Sequence, residues 1–101
     1  MSENDEGSDE SLQESLARAR EEIARLDRAI IGLLAERLER SKRVGRLKRA
    51  TGLPVQDAAR EAEVIRAASA AAREHGLPDD AVRDLFWQII ALSRAAQEES
   101  G

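Results

Sequence analysis

An apolar seam constrains this chain more than any other feature. Leu12, Leu16, Ala19, Ile23, Leu26, Ile30 and Leu33 follow one another at alternating spacings of four and three, the interval that sets side chains along one face of an α-helix. The spacing predicts a helix that runs on to about Ala50, where Gly52 offers a left-handed stop and Pro54 blocks continuation. About 38 residues of helix extend about 57 Å. In a chain of 101 residues, the remainder makes only two shorter helices, and they cannot cover a seam of that length. A single domain of this size also buries a modest core on its own. A second copy of the chain is therefore expected to cover the seam, and the expected assembly is an intertwined homodimer.

The two shorter helices carry their own signals. Asp57 is a good N-cap for the first, in which Val64, Ile65 and Ala68 share a face with Arg60 and Glu61, and Gly76 marks its end. Pro78 suits the first turn of the next, where Val82, Leu85, Phe86, Ile89 and Ile90 form an apolar stripe. Nothing in the chain alternates in the manner of a strand. The expected fold class is all-α, with three helices and a very long first one.

Composition removes several kinds of chemistry. The absence of cysteine excludes disulfides, thiolate metal sites and a cysteine nucleophile. His75 is the only histidine, so no multi-histidine metal site can form, and the acids show no spacing of a metal loop. No cofactor and no metal are expected. Residues 1–11 hold five acids (Glu3, Asp5, Glu6, Asp9 and Glu10) and no base, and this segment is expected to be a disordered acidic tail ahead of a folded domain over 12–101. Without those five acids the net charge of -4 becomes about +1. The only aromatics, Phe86 and Trp87, give no platform for stacking bases, so nucleic acid is not an expected partner. No apolar run approaches the ~18 residues of a membrane span, and the start lacks the pattern of a secretory signal. The expected location is cytoplasmic.

Polar residues interrupt the apolar pattern at definite places. Beyond Leu33 the seam predicts apolar residues near 37 and 40, and the sequence has Arg37 and Arg40 before it resumes at Val44 and Leu47. Either the seam reaches solvent there, or Arg37 faces a buried anion, since a guanidinium is costly in a core unless it is paired. Lys48 lies eleven residues after Arg37, about three turns and about 16 Å along the same face, so two long cationic side chains could converge on one small dianion. Lys42 and Lys48 are the only lysines against fourteen arginines. On the last helix the apolar stripe continues into Ser93 and Gln97, which either mark a fraying end or supply hydrogen bonds to a ligand. Asp57, Arg60 and Glu61 read equally as an N-cap followed by surface charges or as part of a polar site.

Taken together, these residues resemble the all-helical chorismate mutases of bacterial type over about residues 16–98. The run Ala19-Arg20-Glu21-Glu22-Ile23-Ala24-Arg25-Leu26-Asp27 resembles the family's opening helix, and Leu33-Leu34-Ala35-Glu36-Arg37 its central part. Val44-Gly45-Arg46-Leu47-Lys48 matches its Gly-x-x-Lys segment. Pro54-Val55-Gln56-Asp57-Ala58-Ala59-Arg60-Glu61 resembles the Pro-Val-x-Asp-x-x-Arg-Glu start of its second helix. Phe86-Trp87-Gln88-Ile89-Ile90, followed by Ser93 and Gln97, resembles its third. Each motif is weak alone; their joint order and spacing are specific.

The resemblance implies an intertwined dimer with two equivalent sites, and the rearrangement of chorismate to prephenate on the route to phenylalanine and tyrosine. It implies Arg20, Arg37 and Ser93 at the substrate's carboxylates, and Lys48 and Gln97 at its ether oxygen. Glu61, with Asp57 and Arg60, is implied at the ring hydroxyl. Geometry adds one constraint: Arg20 and Lys48 are 28 residues apart on one helix, about 42 Å, so a small ligand that touches both must take Arg20 from the partner protomer. Two other readings stay open. One is a same-fold enzyme acting on isochorismate as a pyruvate lyase, or on 4-amino-4-deoxychorismate as a mutase. The other is a non-catalytic helical dimer that serves as a binding partner.

Overall fold

A computed structural model of the chain describes residues 9–99. It contains three α-helices, α1 (Asp9–Ala50), α2 (Ala58–Glu74) and α3 (Asp79–Glu99), and no strand among the described residues. The helix α1 has 42 residues and begins at Asp9, three residues ahead of the first seam residue. Asp9 and Glu10 in its first turn, and Lys48 and Arg49 in its last, oppose the helix dipole at both ends. Residues 9–11 of the tail expected over 1–11 thus belong to the helix, and residues 1–8 lie outside the described residues.

Both helix stops use the same device. Gly52 has φ 75° and Gly76 has φ 70°, a left-handed conformation that costs a residue with a Cβ about 1–2 kcal/mol. At the first, Leu53 N donates to Lys48 O at 2.8 Å and Gly52 N to Arg49 O at 3.3 Å. At the second, Leu77 N donates to Ala72 O at 2.8 Å and Gly76 N to Arg73 O at 3.2 Å. In each case the last carbonyls of the helix are satisfied, and a Gly-Leu-Pro tripeptide closes the helix. Asp57 caps α2, its side chain accepting from Arg60 N at 3.0 Å. Pro78 sits one position earlier than expected: its carbonyl accepts the first bond of α3, from Val82 N at 3.2 Å.

The chain divides into two compact units, residues 1–33 and 34–101. The described part of the first is helix alone, and its seam faces solvent: Ile23, Leu26, Ile30 and Leu33 are all more than half exposed. The second unit holds the end of α1 with α2 and α3. Its buried apolar residues are Ile65, Ala68, Ala72, Ile90 and Ala96, which recur at helical spacing on α2 and α3. Ser69 and Ser93 are buried on the same faces, and Ser41 and Gly45 are the buried residues of α1. Small side chains thus bring the helices close. Leu85, expected in the apolar stripe of α3, is 62% exposed, whereas Phe86 and Ile89 are half-buried and Ile90 is buried. No helix among the described residues is long and apolar enough to cross a membrane.

Candidate active site

Within the second unit, the end of α1, the loop before α2, and the helices α2 and α3 line a cavity of about 460 Å³. From α1 come Arg37, Arg40, Ser41, Val44 and Lys48; from the loop Val55 and Asp57; from α2 Arg60, Glu61 and Val64; from α3 Ile90, Ser93, Arg94 and Gln97. Five cationic side chains therefore face two carboxylates in a space that suits a small molecule. Uncompensated positive charge in such a cavity favours an anionic occupant.

Seven of the eight residues singled out in the sequence meet here: Arg37, Lys48, Asp57, Arg60, Glu61, Ser93 and Gln97. The eighth, Arg20, is exposed in the other unit and does not line this cavity. Arg37, half-buried, donates through Nη1 to Ser93 Oγ, a bond that links α1 to α3 and turns the guanidinium toward α3 where the seam is interrupted. Lys48 Nζ donates to Val55 O at 2.9 Å, tying the interhelical loop back onto α1. Asp57 is both the cap of α2 and a cavity wall. Arg60 is exposed and reaches Glu63 at 3.9 Å, a weak surface pair.

Gln97 is positioned by its backbone. Arg49 Nη1 donates to Gln97 O at 2.7 Å. A Cβ built on Gly45 would stand 2.8 Å from that carbonyl oxygen and 2.9 Å from Gln97 Cα. Only a residue without a side chain lets α3 approach α1 here, which gives the Gly-x-x-Lys spacing a physical meaning: the glycine seats one residue of the cavity wall and the lysine is another.

Sequence reasoning missed Arg94. Its Nε donates to Glu61 Oε2 at 2.7 Å and its Nη2 to Glu61 Oε1, a two-pronged pair across α2 and α3. The Arg94 hydrogen bonds hold the Glu61 carboxyl below the ordinary 4.5; burial and the Asp57 carboxylate oppose this, and Lys48 assists. The signal was present, since Arg94 follows Ile90 by four residues. It is a charge at an apolar register position, the same kind of interruption that marked Arg37.

Fold and cavity together define the class: an all-α protein whose helices close around a small, cation-rich cavity. The chain belongs to the chorismate mutase type II family, whose model matches residues 19–98. Among curated proteins it is 34% identical over 91 residues to a T-protein of Haemophilus influenzae, covering 90% of this chain and 24% of that protein. It is 31% identical over 86 residues to a T-protein of Enterobacter agglomerans, covering 85% of this chain and 23% of that protein. It is 29% identical over 86 residues to a chorismate mutase of Methanocaldococcus jannaschii, covering 85% of this chain and 87% of that protein. The chain thus spans about a quarter of the length of the two T-proteins and nearly all of the archaeal chorismate mutase.

Proposed function

We propose that this chain is a chorismate mutase, an isomerase that rearranges chorismate to prephenate, acting as a homodimer without cofactor or metal. The observation that carries the reading is the cavity with five cations and two carboxylates, lined by Arg37, Lys48, Glu61, Ser93 and Gln97. It is supported by the family membership and by the likeness to an archaeal protein named chorismate mutase.

Chorismate carries two carboxylates, a ring hydroxyl and an enolpyruvyl ether, and the reaction breaks one carbon–oxygen bond while it forms one carbon–carbon bond. No proton has to move, so the site acts by holding the folded conformer and by stabilising charge. Arg37 and Ser93, already joined to each other, bind a carboxylate together. Arg20 of the partner subunit supplies the second guanidinium. Negative charge grows on the ether oxygen in the transition state, and donors aimed there favour it over the ground state. Lys48 commits a hydrogen bond to Val55 O and has further N–H donors on its ammonium; with the Gln97 amide it serves that oxygen. Glu61 accepts the ring hydroxyl, with Asp57 and Arg60 shaping the same wall.

The dimer rests on the first unit's bare seam. Leu26 is 63% and Leu33 65% exposed, and a contiguous apolar surface of this kind marks an association site. The test is direct: purified protein is mixed with chorismate and a chelator, substrate loss is followed by absorbance, and the product is identified by chromatography. Prephenate is expected from the wild type, and Lys48→Ala should be about 100- to 1000-fold slower, the loss seen on removing one oxyanion donor. A folded dimer that leaves chorismate untouched overturns the reading, and turnover of isochorismate or of 4-amino-4-deoxychorismate would name the enzyme instead. Inactivity on all three would leave a binding partner.

A further inference from the structure

We propose that Arg94 is a positioning residue for the ring-hydroxyl acceptor: its guanidinium fork grips both oxygens of Glu61 and fixes the carboxylate at the cavity wall. The inference rests on the reading of the cavity as a chorismate site, and it adds to that site a residue that none of the sequence motifs contains.

The geometry has three parts. The pair joins two helices, Glu61 in the first turn of α2 and Arg94 near the end of α3, so it fixes where the carboxylate stands relative to Ser93 and Gln97 on α3. The fork uses one donor per carboxylate oxygen. A carboxylate has about four lone-pair sites, and two remain for a ligand hydroxyl. The Glu61 side chain is 16% exposed and Arg94 44%, so the carboxylate is the inward group and the guanidinium the outward one.

The other charges around Glu61 do not replace the fork. Lys48 on α1 favours its ionised form and Asp57 at the start of α2 disfavours it, while Arg37 and Arg40 on α1 and Arg60 on α2 line the same cavity. None of these side chains hydrogen-bonds the Glu61 carboxylate; Arg94 makes two such bonds. A protonated Glu61 would present a donor where the site needs an acceptor, and a planar fork constrains orientation in a way that a single ammonium cannot.

The experiment is a double-mutant cycle on chorismate turnover with Arg94→Ala, Glu61→Ala and the pair combined, together with Arg94→Lys. Arg94→Ala should lower kcat/KM about tenfold, within the range for directly coupled neighbours, and Arg94→Lys should recover part of it. In the Glu61→Ala background, Arg94→Ala should cost nothing further. An equal loss in both backgrounds would mean that Arg94 meets the substrate itself or merely supports the fold, and wild-type kinetics in Arg94→Ala would also overturn the proposal. Titration of ¹³C-labelled glutamate carboxyls, with the Glu61 signal assigned by its loss in Glu61→Gln, reads the pair without turnover. The Glu61 midpoint should lie below 4.5 in the wild type and rise in Arg94→Ala. An unchanged midpoint removes the pair, whereas a wild type that ignores chorismate but shows the shift removes the reaction and leaves the pair standing.

Discussion

Asp79 shows how much one side chain can gather. Its Oδ2 accepts from Ser69 Oγ at 3.0 Å, from Arg73 Nη1 at 2.9 Å and from Arg83 Nη1 at 3.1 Å, in the first turn of α3 where the helix dipole also favours an anion. The Ser69 hydrogen bond first, then the Arg73 hydrogen bond and the charges of Arg83 and Arg73, hold its carboxyl below the ordinary 3.8 against the opposing effect of burial. A carboxyl depressed in the folded state adds stability above its unfolded value and loses it as pH falls through the folded one. Asp79→Asn should therefore melt at a lower temperature than the wild type at pH 7, with the difference closing below about pH 3.8; circular dichroism at a series of pH values reads both. Equal midpoints at pH 7 would reduce the cluster to surface decoration. The parts of Ser69 and Arg73 were not legible in the sequence, because they reach Asp79 only across the turn at Gly76, whereas Arg83 is its i,i+4 neighbour on α3. Asp57 was legible as a cap because capping is a local event, fixed within three residues. Arg37 was legible as a residue turned away from a plain apolar seam because it broke a period, and it lines the cavity. Arg94 broke a period too, but its acceptor lies 33 residues away on another helix.

Periodicity gave the number, order and stops of the helices, and both Gly-Leu-Pro closures follow from residues that interrupt it. It did not say which part of each apolar face would be covered. That depends on how near the helices come, which small residues decide. Leu85 is exposed in the single chain, while Ala68, Ala72 and Ala96 are buried. The closest approach is at Gly45, where a methyl group would press on Gln97 backbone rather than on a flexible side-chain tip. Gly45→Ala gains about 1 kcal/mol of helix propensity and meets about 1–3 kcal/mol of overpacking. The overpacking outweighs the gain because the atoms it meets are backbone, so the net cost is up to about 2 kcal/mol and the thermal midpoint should fall by several degrees. The displaced Gln97 should show in turnover, with kcat/KM falling at least about tenfold as the donor leaves its place. Unaltered kinetics in a folded Gly45→Ala protein would mean that Gln97 tolerates the shift or has no part in the reaction.

For the whole molecule the deciding surface is the seam of the first unit. Leu26→Glu puts a charge on a position 63% exposed in a single chain, where it should barely disturb an isolated helix and should abolish a dimer. Sedimentation should give a dimer for the wild type and a monomer for the variant, and activity should fall with it because Arg20 would no longer reach a second site. A fully active monomer would contradict the shared-site arrangement. The chain as a whole carries a net charge of -4, yet the cavity gathers five cations against two carboxylates. Five of the acids lie in residues 1–11, so the rest of the chain is near +1, and the cavity's local excess of cations is where a dianion from bulk water would be drawn. A local excess of that kind concentrates field lines at the opening, so a dianion should arrive there by preference before any contact is made. Added salt should slow capture and leave the bond-making step nearly untouched.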